Sequence, residues 1–150
     1  MKKTLLIFVA IVFAVTACNK QTYVDGTYTV TFNEPSHSYT GFVTVTLAED
    51  AITDVDFDYM NDTIDLRKSE DDAYKQRMLD RGMTTSPDEF IPLIEASLQA
   101  ATIIPEFVPI DAVTGATSSS NDANYLMEIA LDNAITGETT NDVVPYPVEE

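Results

Sequence analysis

The chain has 150 residues, enough for one domain with a modest core. Its net charge of −17, from 25 acidic residues against 8 basic ones, excludes nucleic acid as a partner, because a phosphate backbone would be repelled. A single cysteine excludes an intrachain disulfide, and a single histidine, His37, leaves no Ser-His-Asp or Cys-His set for nucleophilic catalysis.

Met1-Lys2-Lys3 is a short basic start, and Leu5 to Ala17 is an almost unbroken apolar run, shorter than the roughly 18–20 residues that cross a bilayer as a helix. The pattern predicts a secretory signal over 1–17. Val15-Thr16-Ala17-Cys18 resembles the bacterial lipobox. That resemblance implies a diacylglycerol on the Cys18 thiol, a lipidated tether over 18–24, and a domain held by its lipid anchor on the outer side of the cell membrane. Asp25-Gly26 is a turn signal that opens a domain predicted over 25–137.

Tyr28, Val30 and Phe32 alternate with Thr29 and Thr31, the pattern of a half-buried strand. A loop with Pro35 follows, to Thr40. Val43, Val45 and Leu47 alternate with Thr44 and Thr46, and Glu49-Asp50 reverses the chain. Val55, Phe57 and Tyr59 alternate with Asp54, Asp56 and Asp58, which predicts a hairpin with one wet, acidic face. Asp54, Asp56, Asp58 and Asp65 also fall at calcium-loop positions 1, 3, 5 and 12, but Tyr59 stands where such loops carry glycine. A strand's solvent face explains the same aspartates, and no metal is assigned.

Ser69 is placed to cap a helix that runs to about Arg81 and stops at Gly82, with Tyr74 and Met78 on its inner face. Ser86-Pro87-Asp88-Glu89 is a helix start with a capping serine, proline at the first position and glutamate at the third. Phe90, Ile94, Leu98 and Ala101 continue it, and Pro92 implies a kink or a later start. Ile103 to Ile110 reads as an irregular approach. Ser119 or Ser120 begins the last helix, whose apolar stripe is Ala123, Leu126, Met127, Ala130, Leu131 and Ala134, and Gly137 ends it. Residues 138–150 read as an acidic disordered tail. Strands first and helices afterwards indicate an α+β domain, a small antiparallel sheet packed with helices.

The stretch that carries chemistry is Asp111-Ala112-Val113-Thr114-Gly115-Ala116-Thr117-Ser118-Ser119. It is a loop of small residues feeding a helix. Gly115 permits a positive φ or a close backbone approach, and Ala116 adds almost no bulk. The Thr117 hydroxyl then stands clear beside free N–H groups that suit a phosphate. The alternative is an ordinary loop in which Thr117 caps the helix and the protein is a surface binding module.

Asp111 to Thr117 matches D-x-x-[ST]-G-A-T, and the chain resembles the FMN-binding domain family that carries it. That family includes flavin subunits of the sodium-pumping NADH–quinone reductase and the Rnf complex, and flavinylated lipoproteins of extracellular electron transfer. The opening Tyr23-Val24-Asp25-Gly26-Thr27-Tyr28 and the segment Lys68-Ser69 with Tyr74 and Met78 extend the resemblance to about residues 23–137. The turn Asp50-Ala51-Ile52 departs from the Gly-Lys-Ile of many relatives.

The resemblance implies FMN joined by a phosphoester to Thr117, with Asp111, Thr114, Gly115, Ala116 and Ser118 around it. It implies an ApbE-type, FAD-dependent flavin transferase as a partner, and a quinol or flavin subunit of the membrane as electron donor. A redox carrier fits better than an enzyme with its own substrate, and an extracytoplasmic reductase component is the rival. Lys68 is the candidate for a cation near the flavin, against the plainer role of offsetting Asp65 or Glu70. Tyr74 and Met78 are candidates for packing on the ring, against plain core packing.

Overall fold

A computed structural model describes residues 22–147. The predicted signal over 1–17 and Cys18 lie outside the described residues. Strands β1 (Gly26–Phe32), β2 (Thr40–Ala48) and β3 (Ala51–Asn61) form an antiparallel meander. A short β4 (Leu66–Arg67) and a 3-10 turn (Lys68–Glu70) lead into α1 (Asp72–Asp80). Then come α2 (Pro87–Gln99), α3 (Thr117–Thr136) and β5 (Asn141–Val144). The sheet order is β4-β3-β2-β1-β5, so the α+β class holds.

The alternation in the strands does what it promises. Tyr28, Val30, Val43, Val45, Leu47, Val55 and Phe57 are buried on one face, against α2 and α3. On the other face Thr27 bonds Thr46 at 3.0 Å and Thr29 bonds Thr44 at 2.9 Å. These threonine rungs tie β1 to β2 where no helix covers them. In α3 the predicted stripe is buried as a unit, with Ala123, Leu126, Met127 and Ala130 each at 0 % exposure. The small alanines let the helix lie close on the sheet.

The β2–β3 reversal is a two-residue turn, with Glu49 at φ 53° and Asp50 at φ 60°. Such a turn matches strand twist but strains residues other than glycine. Side-chain ties offset that strain. The Glu49 amide donates to Asp25 Oδ1, and the Tyr23 amide donates to Asp50 Oδ1, both at 2.9 Å.

Four expectations need correction. Tyr23 and Val24, expected in the tether, belong to the folded domain: Tyr23 is buried and donates its hydroxyl to the Ile103 carbonyl at 2.9 Å, while the Val24 amide bonds the Ala134 carbonyl. The sequence after Gly137 does not stay unstructured as far as it is described. β5 pairs parallel to β1, which makes the sheet mixed, and Tyr146 stacks on Phe32 with centroids 3.7 Å apart. Ladder bonds and an aromatic contact there outweigh the local charge.

The third correction concerns the acidic face of β3. Asp56 holds Arg67 in a two-pronged pair at 2.6 and 2.7 Å, and Asp58 is buried under the 3-10 turn, where the Ser69 hydroxyl and amide donate to it. Burial pushes the Asp58 carboxyl up from its ordinary value. No acidic group suited to a metal ion exists among the described residues. Fourth, because Ser69 is engaged with Asp58, the cap of α1 is Asp71, whose carboxylate accepts the Tyr74 amide at 2.8 Å.

The start of α2 follows the expectation: the Glu89 carboxylate accepts the Ser86 amide at 3.2 Å, and the helix runs on through Pro92. Its Glu95 and Gln99 reach the free edge of β3, bonding the Phe57 amide and the Thr53 carbonyl. An open strand edge is thereby covered. By contrast α1 buries no residue.

Candidate functional site

The site is built where α3 begins. The chain approaches it over 101–116, without regular structure, and α3 itself holds that approach in place. Asn124 grips Ile110 at both ends, donating to its carbonyl at 3.0 Å and accepting its amide at 2.9 Å. One turn earlier on the same face, the Ser120 hydroxyl accepts the Val113 amide and donates to the Ala116 carbonyl, both at 3.0 Å. The Ala116 amide closes a tight turn onto the Val113 carbonyl at 2.9 Å.

At the tip of that turn Gly115 has φ +78°, a left-handed conformation. A Cβ there would lie 2.5 Å from Thr85 Cγ2. Glycine is required for both reasons. Buried Ala116 is the residue before the helix, and α3 starts at Thr117, two residues earlier than Ser119. Ala116 has no side-chain oxygen to cap with, and no side chain caps α3. The first amides of a 20-residue helix are therefore left to an outside acceptor, at the end where its dipole favours an anion. Thr117 does not act as the cap, and its side chain is exposed.

This helix start opens into a cavity of about 430 Å³. Gly115, Ala116, Thr117, Ser118 and Ser119 form one wall, and Lys68, Tyr74, Met78 and Phe90 the other. All three residues proposed from the distant Lys68–Met78 segment thus meet the motif. Asp111 and Thr114 do not line the cavity and are exposed on the approach. Phe90, Thr85, Ser120 and Asn124 were missed. Phe90 and Ser120 sit at ordinary helix-face spacing, which gives no separate signal. Asn124, four residues after Ser120, could have been read as a second polar group on that face.

Lys68 makes no ion pair with Asp65, Glu70 or any other described residue. Its ammonium lies instead over three rings, 4.3 Å from the centroid of Tyr59, 4.8 Å from Tyr74 and 5.7 Å from Tyr39. That cage is itself fixed. Tyr39 donates a short hydrogen bond to Asp71 and meets Tyr74 edge-on. Tyr59 donates to Asp122 of α3 at 2.7 Å.

The electrostatics agree. Burial, then Asp71, pushes the Tyr39 phenol up to about 12, and the Tyr39 hydroxyl holds Asp71 below its ordinary value. Burial, then the charge of Asp122, raises Tyr59 as well. Asp122 is raised by burial, against the opposing pull of Tyr59 and Lys68. The cavity therefore presents one fixed positive charge beside uncapped helix amides.

A loop turned by a left-handed glycine, an uncapped helix start and an apolar-and-cationic cavity together suit a phosphorylated planar cofactor. The chain belongs to the FMN-binding domain family, whose model matches residues 38–132, from the loop before β2 into α3. Among solved structures it is similar to the crystal structure of a Clostridium perfringens protein, at 29% identity and a TM-score of 0.73 over 84% of this chain and 100% of that one. A Clostridium thermocellum protein solved by NMR aligns at 17% identity with a TM-score of 0.46, over 84% and 98%. No curated protein matches.

The residues present fit FMN. The α3 amides can donate hydrogen bonds to its phosphate, Phe90, Tyr74 and Met78 offer apolar surface, and the cavity volume falls in the range of small-ligand pockets. The membership and this fit support a flavin-binding electron carrier.

Proposed function

We propose that the protein is a lipid-anchored, extracytoplasmic electron carrier whose FMN is joined through its phosphate to the Thr117 hydroxyl. The observation that carries the covalent part is the Thr117 side chain itself, exposed at an uncapped helix start on the wall of the cavity. The Thr117 oxygen gains a bond to the FMN phosphorus of FAD, the pyrophosphate link breaks, AMP departs, and the hydroxyl proton is released. An ApbE-type flavin transferase with its divalent metal is the partner that performs this step. A phosphodiester keeps about one negative charge, which the α3 amides stabilise by roughly 0.3–1 kcal/mol when exposed and more when partly buried.

Bound FMN supplies one- and two-electron redox chemistry; the protein's share is to bind, orient and tune it. Lys68 provides the tuning charge. Its ring cage holds the ammonium at the cavity, where it makes no ion pair among the described residues and feels the Asp122 carboxylate only at longer range. Lys68→Gln is expected to lower the flavin midpoint potential by on the order of 30 mV, about 1.4 kcal/mol for a two-electron couple. Spectroelectrochemical titration of both proteins reads this directly, and an unchanged or raised midpoint would remove Lys68 from the tuning role.

The lipobox, with Cys18, supports anchoring outside the cytoplasm. No helix among the described residues is long and apolar enough to cross a membrane. A membrane quinol or flavin subunit is the proposed donor. The test of the whole reading is the mass of the full chain coexpressed with a flavin transferase. FMN should be found on the peptide containing Thr117, and a colourless chain of unmodified mass would leave only a surface binding module.

A further inference from the structure

Each basic residue in the described chain (Arg67, Lys68, Lys75, Arg77 and Arg81) falls within one stretch of fifteen positions. In so acidic a chain this is strong segregation. Two of the five are neutralised: Arg67 by Asp56 and Lys75 by Asp88. Lys68 is held in its cage of rings. Arg77 and Arg81 remain, exposed and without an ion pair among the described residues.

Arg77 lies on α1 and Arg81 is the residue that ends it, four positions on, so both lie near Tyr74 and Met78. The Arg77 guanidinium lies 5.3 Å from the Tyr74 ring centroid. Across from them stands His37, at the tip of the tight turn between Ser36 and Tyr39, where His37 and Ser38 both have positive φ. These five side chains (His37, Tyr74, Arg77, Met78 and Arg81) enclose a second concavity of about 190 Å³. Tyr74 and Met78 are lining residues of both this groove and the cavity at α3.

From this juxtaposition we propose that the groove is a binding site for a small planar anion, an aromatic or quinone-type carboxylate or sulfonate, next to the cofactor cavity. Two guanidinium forks four residues apart match carboxylate or sulfonate oxygens better than point charges would. Tyr74 and Met78 supply an apolar wall for a ring. The groove is concave and of single-ring size, which fits a small molecule rather than a flat protein surface. The acidic remainder of the chain repels such a solute, so encounters are steered to this face. The site gives the proposed carrier a place to meet a soluble redox partner, and in that sense it rests on the flavin reading.

The test uses hydroquinonesulfonate, a single ring with one sulfonate, as the probe, in equilibrium dialysis against the full flavinylated chain. Saturable binding is expected, weakened by salt and reduced at least tenfold in Arg77→Gln/Arg81→Gln. The dication methyl viologen should not compete. Both arginines are exposed, and an unchanged thermal midpoint confirms that the double variant folds. Affinity unchanged by the double substitution, or no saturable binding to the parent, overturns the proposal. The same dialysis on Thr117→Val separates the two readings. Anion binding should persist there without flavin, so a colourless native protein would defeat the carrier and leave the groove, while a yellow protein that ignores the anion would defeat the groove alone.

Discussion

Thr117→Val, coexpressed with the flavin transferase, is expected to emerge without flavin that survives denaturation, and to fold as stably as the parent. Valine keeps the branch and the size but has no oxygen to esterify. Thr117 is the first residue of α3, its side chain is exposed, and its hydroxyl makes no hydrogen bond among the described residues. The stability cost should therefore stay within about 0.5 kcal/mol, the range of surface substitutions. An all-or-none change in bound colour against a near-zero change in urea midpoint separates loss of chemistry from loss of fold. Ser118 is the internal control, because it carries a second exposed hydroxyl on the same wall. Ser118→Ala should stay yellow. If Thr117→Val keeps its flavin while Ser118→Ala loses it, the ester sits one residue away from where the structure argues.

The meander and the burial of α2 and α3 were legible because they depend on local periodicity. Tyr28 to Phe32, Val43 to Leu47 and Val55 to Phe57 each state their buried face by alternation, and Ser86-Pro87-Asp88-Glu89 states a helix start by chemistry. The misreadings share a different cause, a partner far away in the chain. Ser69 is a good capping residue in isolation, but its hydroxyl is taken by Asp58, eleven positions back, so the cap passes to Asp71. Asp58 belongs to a wet face by alternation, and is covered only because the chain returns over it after β4. β5 hid in acidic sequence because the ring that secures Tyr146 is Phe32, more than a hundred residues earlier.

For the site, the loop motif was readable as a phosphate-accepting turn, whereas the cavity's other wall was not. Nothing local says that Lys68, Tyr74 and Met78 fold back onto Thr117, or that Phe90 joins them. Family resemblance suggested the first three, and tertiary packing supplies the reason. Tyr39 and Asp71 fix α1 to the sheet end, and Tyr59 and Asp122 bring the sheet to α3.

Gly115→Ala is the substitution that should damage fold and site together. The left-handed φ of +78° costs a residue with a Cβ about 1–2 kcal/mol. The clash adds to it, because the new methyl would lie 2.5 Å from Thr85 Cγ2, so the turn or Thr85 must move. A total loss on the order of 2–3 kcal/mol in urea unfolding follows. Gly82→Ala measures the backbone part alone, since Gly82 has φ +80° with nothing within 4 Å of a Cβ. It should cost about 1 kcal/mol and leave flavin attachment untouched.

The clash can be tested from the other side. Thr85→Ser removes Cγ2 and keeps the hydroxyl, so Gly115→Ala/Thr85→Ser should recover the steric share but not the dihedral share. A coupling of about 1 kcal/mol in the double-mutant cycle is the expected size for residues in contact. Flavin attachment should track the same pattern, because Thr117 lies two residues past the strained turn and any shift of Gly115 moves its hydroxyl: slowest in the single variant, partly restored in the double. If Thr85→Ser restores nothing, the apposition of the loops before α2 and α3 is not what holds this turn. If Gly115→Ala costs no more than Gly82→Ala while flavin attachment still fails, the glycine serves close approach by the transferase rather than the geometry of the loop.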